Sequence, residues 1–153
     1  MLQRFTKDAR AIVEAAVEIA RERGASTVEA EHLLLAATRR EDPTAIVLRG
    51  HGLDFDGLDR ALEAESERSL AAVGVSAERP RFTPFPGKPR FATSAKAALE
   101  GALRAATERA DRHIGSRHVV LGVLRPTRGT VPRALGLAGV DRDELSAAIS
   151  SAT

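Results

Sequence analysis

The chain has 153 residues and a net charge of +2, from 23 basic and 21 acidic side chains. That is enough length for one unstapled core, and too small a basic excess for a dedicated nucleic-acid binder. Cys, Trp and Tyr are absent and Phe occurs five times, which excludes disulfides, thiol nucleophiles and thiolate metal sites and demands an aliphatic core. No apolar run is long enough to span a bilayer and residues 1–4 do not open a signal peptide, so a soluble, cytoplasmic chain is expected.

In chain order, Thr6 is a good N-cap for a helix over about 7–23, with Ala9, Ile12, Val13, Ala16, Ile19 and Ala20 on one face and Gly24 as its stop. A second helix is predicted over about 29–39, with Leu33, Leu34 and Leu35 buried. Asp42-Pro43-Thr44 opens a short third helix through Leu48, stopped by Gly50-His51-Gly52. Asp54 caps a fourth that runs to about residue 72 and carries Glu63, Glu65 and Glu67 on a solvent-facing surface.

The pattern then repeats. Arg4-Phe5-Thr6 returns as Arg90-Phe91-Ala92, and Glu31-His32-Leu33-Leu34-Leu35 as Arg117-His118-Val119-Val120-Leu121, both 86 positions on. After one inserted residue, Leu48, Gly52, Leu53, Asp54 and Leu58 match Leu135, Gly139, Val140, Asp141 and Leu145. Helices are therefore expected over about 93–110, from a Ser116 cap through Leu124, near 130–135, and from an Asp141 cap through Ile149. Residues 74–89 hold four Pro and two Gly and form an extended linker, with Phe82 and Phe85 pinning it to the domain. This divides the chain into a first repeat (1–73), a linker (74–89) and a second repeat (90–153), together one all-α domain. The net charge is −4 over residues 1–68 and +6 over 69–153, so the halves can present different surfaces.

The chain is poor in reactive chemistry. Gly87-Lys88 lacks the rest of a phosphate-binding loop, and Pro89 follows it. His32 and His118 share one repeat position, which reads either as a paired metal or catalytic site or as a repeated packing role; no His-Glu-x-x-His motif supports the former. Ser26, Ser94 and Ser116 lack a His-Asp pair nearby in sequence. The expectation is no enzyme, no cofactor and no metal. Arg104, Arg109, Arg112, Arg117, Arg125, Arg128 and Arg133 make the second half basic, but no aromatics interleave with them for base stacking.

The doubled Arg-Phe-x and x-His-x-x-Leu segments resemble the double Clp repeat of the Clp N-terminal domain, the module that precedes the ATPase rings of ClpC- and ClpA-type unfoldases. The resemblance covers about residues 1–150 and implies two pseudo-symmetric four-helix repeats that bind substrates and adaptor proteins. Ala30, Ala92 and Arg117 depart from the family pattern, which favours a free-standing paralogue without ATPase rings over an excised unfoldase domain. A peptide groove implied by the resemblance falls on Leu2, Arg10, Val17, Phe91, Lys96 and Glu100, with Phe91 either an apolar anchor or core; in ClpC relatives this groove also takes cyclic-peptide antibiotics. A phosphoarginine pocket would fall on Thr6 and Glu31, and the matching Ala92 and Arg117 would not form one.

Overall fold

The computed structural model describes residues 2–76 and 82–152, with Leu2 given by its backbone alone. Residues 77–81 of the linker, Pro80 among them, lie outside the described residues. The described helices are α1 (Lys7–Glu22), α2 (Ala30–Thr38), α3 (Pro43–Gly50), α4 (Phe55–Ala72), α5 (Thr93–Glu108), α6 (Ser116–Leu124), α7 (Thr130–Leu137) and α8 (Arg142–Ser151). A 3-10 turn, Leu2–Arg4, precedes them. Two short strands, β1 (Thr27–Val28) and β2 (Arg90–Phe91), pair in parallel.

Side-chain caps account for four of the eight described helix starts. Thr6 accepts from the Ala9 N–H, Asp42 from Ala45, Asp54 from Gly57 and Asp141 from Glu144. Each satisfies one of the amides that a first helical turn leaves unpaired. Pro43 fits the first turn of α3, where its missing N–H costs nothing.

The centre of the molecule is the pair α2 and α6, which pack on each other. Leu33, Leu34, Leu35, Val119 and Val120 are fully buried. α1 covers α2, α5 covers α6, and α4 and α3 reach across to α7 and α8 of the other repeat. The four-helix repeats are thus pseudo-symmetric and interlocked.

The backbone shows the interlocking most directly. The Thr6 N–H donates to the Ile114 carbonyl, and the Ile114 N–H to Arg4. In the other half the Ala92 N–H donates to Val28, and the Arg90 N–H to Ser26. Each repeat therefore begins by pairing with the loop before the second helix of the other.

The linker docks where it leaves repeat one. Phe85 N–H donates to the Arg21 carbonyl at 2.8 Å, and the Arg23 guanidinium lies 4.4 Å over the Phe82 ring. Phe85 is half-buried, whereas Phe82 stays 47% exposed, so the two Phe are pinned unequally. A Cβ on Gly24 would stand 2.5 Å from the Thr83 carbonyl oxygen, which is why a glycine sits there.

Two expectations need correction. Ser116 does not cap α6: Gly115 is the N-cap, and the Ser116 hydroxyl is buried without a hydrogen-bond partner. The acidic run on α4 is not wholly solvent-facing either. Glu65 is only 6% exposed, because it continues the Leu58, Ala61, Leu62 stripe that α4 turns inward. There its Oε1 accepts from Arg133 Nε on α7 and from the Ser69 hydroxyl.

Candidate ligand-binding surfaces

The residues expected to form a groove lie on α1, β2 and α5. Arg10 is exposed and Val17 half-buried, two helical turns apart on α1; Lys96 and Glu100 are exposed one turn apart on α5. Arg10 and Lys96 are repeat mates, as are Glu14 and Glu100, so each first helix presents a cation and an acid at matching positions. α1 and α5 are not a principal packing pair; each lies against both α2 and α6.

Phe91 and its repeat mate Phe5 have separated roles. Phe5 is 4% exposed and belongs to the core, whereas Phe91 is half-buried and packs against the core's edge. The Leu2 side chain is outside the described residues. Leu103, the repeat mate of Val17, is 41% exposed on α5.

Thr6 and Glu31 line different clefts among the described residues. Thr6 lines an open depression of about 460 Å³ with Asp42, Ser116 and Arg117, while Glu31 lines clefts with Arg23, Glu65, Ser94 and Thr130. The reason is the interlocking: the cap of α1 sits beside the start of α6, and the start of α5 beside that of α2. The pairing expected within one repeat is replaced by one between repeats.

The start of α2 is held by a cross-repeat network. Glu29 accepts from the Thr27 hydroxyl at 2.7 Å and from the Ser94 hydroxyl at 2.9 Å, and Ser94 Oγ accepts from the Ala30 N–H at 2.8 Å. The adjoining cleft of 470 Å³ is lined by Glu31, Asp59, Glu63 and Glu65, with Arg23 and Phe82. Arg23 is paired to Asp59 at 2.8 Å. Burial, with Glu29 and Glu65 nearby, holds the Glu31 carboxyl above the usual carboxylate range.

The two repeated histidines each brace a helix start. His32 Nδ1 accepts from the Glu29 N–H and His118 Nδ1 from the Gly115 N–H, both at 2.9 Å. An imidazole that accepts at Nδ1 carries its proton on Nε2 and is neutral. Burial, followed by the charge of Arg23, pushes the His32 pKa down to about 4. His118 Nε2 meets Asp111 Oδ2 at 2.7 Å, and that bond, with one from Arg109, holds the Asp111 carboxyl below its ordinary range. No cluster of three metal-ligating side chains exists among the described residues.

Several of the second-half arginines are already engaged. Arg109 binds Asp111 and Ser150, Arg125 binds Glu108, and Arg133 binds Glu65. They tie helices together rather than forming one open basic face. No described helix is long and apolar enough to cross a membrane.

Comparison with known proteins agrees with this arrangement. Residues 4–85 match the model of the Clp repeat (R) N-terminal domain. The chloroplastic chaperone protein ClpC1 of Oryza sativa subsp. japonica is 32% identical over 146 residues, covering 95% of this chain and 15% of that protein. A chloroplastic ClpA homolog of Brassica napus, described as an ATP-dependent Clp protease ATP-binding subunit, is 32% identical over 92% of this chain and 15% of its own length. The chain thus spans about one-seventh of the curated relatives it matches. Among solved structures, the N-terminal domain of ClpD from Arabidopsis thaliana superposes with a TM-score of 0.71 at 21% identity, over 97% of this chain and 96% of that one. The Hsp104 N-terminal domain of Candida albicans gives 0.69 at 19%, over 97% and 91%. With the doubled sequence pattern and the interlocked helices, these matches show that the chain belongs to the Clp repeat N-terminal domain family.

Proposed function

We propose that this chain is a non-enzymatic peptide- and protein-binding module. It recruits substrates or adaptors to a Clp protease, or competes with an unfoldase's own N-terminal domain for the same ligands, cyclic-peptide antibiotics included. The observation that supports this reading is the set of uncovered polar and apolar side chains on α1, β2 and α5. Arg10, Lys96 and Glu100 are exposed there, with half-buried Val17, exposed Leu103 and the half-covered Phe91 ring. An extended peptide offers backbone donors and acceptors to such charges and an apolar side chain to such a ring. For a phosphoarginine peptide, Glu31 in its acidic cleft is the group that would meet the guanidinium, without Thr6.

A second reading is the N-terminal regulatory domain of a ClpC-type ATP-dependent unfoldase. The near-complete coverage of this chain by one-seventh of such proteins favours it. Both readings place the ligand on the same surface.

Fluorescence anisotropy with a labelled, permanently unfolded model protein tests the assignment. Phe91→Ala and Lys96→Ala weaken binding while leaving the helical circular dichroism unchanged; loss of an aromatic anchor often costs about 2 kcal/mol at an interface. Equal binding by wild type and both variants would remove the surface from consideration, and unfolding of Phe91→Ala would return that ring to the core.

A further inference from the structure

The two repeated histidines differ in what their outer ring nitrogen meets. Both accept a backbone N–H at Nδ1, so both carry the proton on Nε2 and present it as a donor. His118 directs that donor to Asp111 at 2.7 Å. The repeat mate of Asp111 is Ala25. The local backbone is alike, since the Ala25 N–H donates to Ala20 as the Asp111 N–H does to Ala106, and only the carboxylate is gone. His32 is 6% exposed, yet its Nε2 has no hydrogen-bond partner among the described residues. Unlike the sealed Ser116 hydroxyl, it opens on the 470 Å³ cleft that His32 lines. A buried donor without an acceptor is costly, and native proteins keep few of them.

The remaining walls of this cleft have the opposite character. Glu31, Asp59, Glu63 and Glu65 line it, together with Arg23. Asp59 is paired with Arg23 and Glu65 with Arg133. Glu31 accepts from its own backbone N–H and makes no ion pair among the described residues. Leu62 and Phe82 add an apolar wall. Repeat two has lost these features. Ser146 and Ser150 stand where repeat one has Asp59 and Glu63, Arg117 stands for Glu31, and Arg109 binds Ser150 and Asp111.

An occupant of this cleft must therefore offer an acceptor to His32, a cation to the acidic wall and an apolar group to Phe82. A metal ion fails, because a nitrogen that carries its proton is not a ligand. A guanidinium fails as well, because it only donates and leaves His32 unmet. The free amino terminus of a peptide carries all three groups within one residue, as its ammonium, its first carbonyl and its first side chain.

We propose that this cleft binds the amino terminus of a peptide. The ammonium faces Glu31 and the acidic wall, the first carbonyl accepts from His32 Nε2–H, and an apolar first side chain lies along Leu62 and Phe82. There is one such site per chain, because repeat two satisfies its histidine internally. Arg10, Phe91, Lys96 and Glu100 do not line the cleft, so it is separate from the proposed recruiting surface.

The test is a ¹H–¹⁵N NMR titration of the 153-residue chain with a Leu-Ala-Ala-Ala peptide amide, with its N-acetylated form, and with an N-acetylated peptide carrying one lysine. Amide shifts at Glu31, His32, Asp59 and Glu63 should saturate with the first probe. Both acetylated probes should bind about tenfold more weakly or worse, the scale of one charge-assisted hydrogen bond. Ala25→Asp rebuilds the arrangement of repeat two and should weaken binding by a similar factor while the helical circular dichroism is kept. That sign is decisive, since an added carboxylate would by charge alone draw a cation more strongly. Glu31→Gln should also weaken binding about tenfold. Tighter or equal binding by Ala25→Asp, equal binding by Glu31→Gln, or equal binding of either acetylated probe would overturn the site. So would shifts that do not saturate, or that centre on Arg10 and Lys96; the last result would leave the recruiting surface standing, so the two assignments fail separately.

Discussion

Two single positions show how unequally the repeats have kept their local chemistry. Gly24 ends α1 with φ +76°, and its repeat mate Ala110 takes φ +58° after α5. A Cβ in that left-handed region costs roughly 1–2 kcal/mol. Ala110→Gly should therefore raise stability by up to about 1 kcal/mol after the entropy lost to a more flexible unfolded chain, measured as a higher urea midpoint. The converse change, Gly24→Ala, also drives a Cβ into the Thr83 carbonyl and should lower the midpoint. The second residue-scale expectation concerns His32, whose folded pKa of about 4 lies below its unfolded value of 6.5. The unfolded chain takes up the proton first, so the stability is complete above pH 6.5 and falls as pH drops toward 4. At 1.36 kcal/mol per unit of pKa difference the loss reaches about 3 kcal/mol. Glu31 works in the opposite direction, since its raised pKa favours the folded state on protonation. His32→Gln isolates the histidine: Gln at that position can still reach the Glu29 N–H but does not titrate. Urea unfolding between pH 7 and 4 should show a flatter profile for His32→Gln than for wild type, and parallel profiles would refute the assignment.

At the level of helices, α5 and α6 make the most extensive contact, and glycine permits it. A Cβ on Gly122 would lie 2.1 Å from the Ala98 carbonyl oxygen and 2.6 Å from the Ala102 nitrogen, and one on Gly101 would lie 3.0 Å from the Gly122 Cα. In repeat one the matching positions are Ala15 and Ala36, so α1 and α2 have no such glycine-to-glycine approach. Gly122→Ala should cost about 1–3 kcal/mol, the usual scale of overpacking, seen as a lower thermal midpoint. The helices themselves were legible because caps such as Asp42, Asp54 and Asp141 and the apolar spacing are local properties. The cap of α6 was not legible, since Gly115 contributes only backbone and the nearby Ser116 mimics a cap. Glu65 reads as solvent-facing because Glu63 and Glu67 flank it, although it stands at the inward spacing of Leu58 and Leu62; its partner Arg133, 68 residues away, is not visible from local sequence. The candidate groove residues could be enumerated from the repeat, but the separation of Thr6 from Glu31 could not, because it follows from which loop each repeat pairs with in space.

For the whole molecule, the decisive feature is that neither repeat closes its own core. α2 packs on α6, α4 on α7 and α3 on α8, and each opening segment pairs with the other half. Residues 1–73 and 90–153 expressed separately should show little cooperative unfolding alone and regain helicity when mixed; a half that unfolds cooperatively alone would contradict the interlocking. The same arrangement places α1 and α5, each carrying a cation and an acid at matching positions, against one central pair of helices. The proposed recruiting surface is built on that frame. It is tested most directly by ¹H–¹⁵N shift mapping of the intact chain during titration with a permanently unfolded model protein. The proposed function predicts saturating perturbations centred on Arg10, Val17, Phe91, Lys96, Glu100 and Leu103, and perturbations absent from these residues while present elsewhere, or no binding at all, would contradict it.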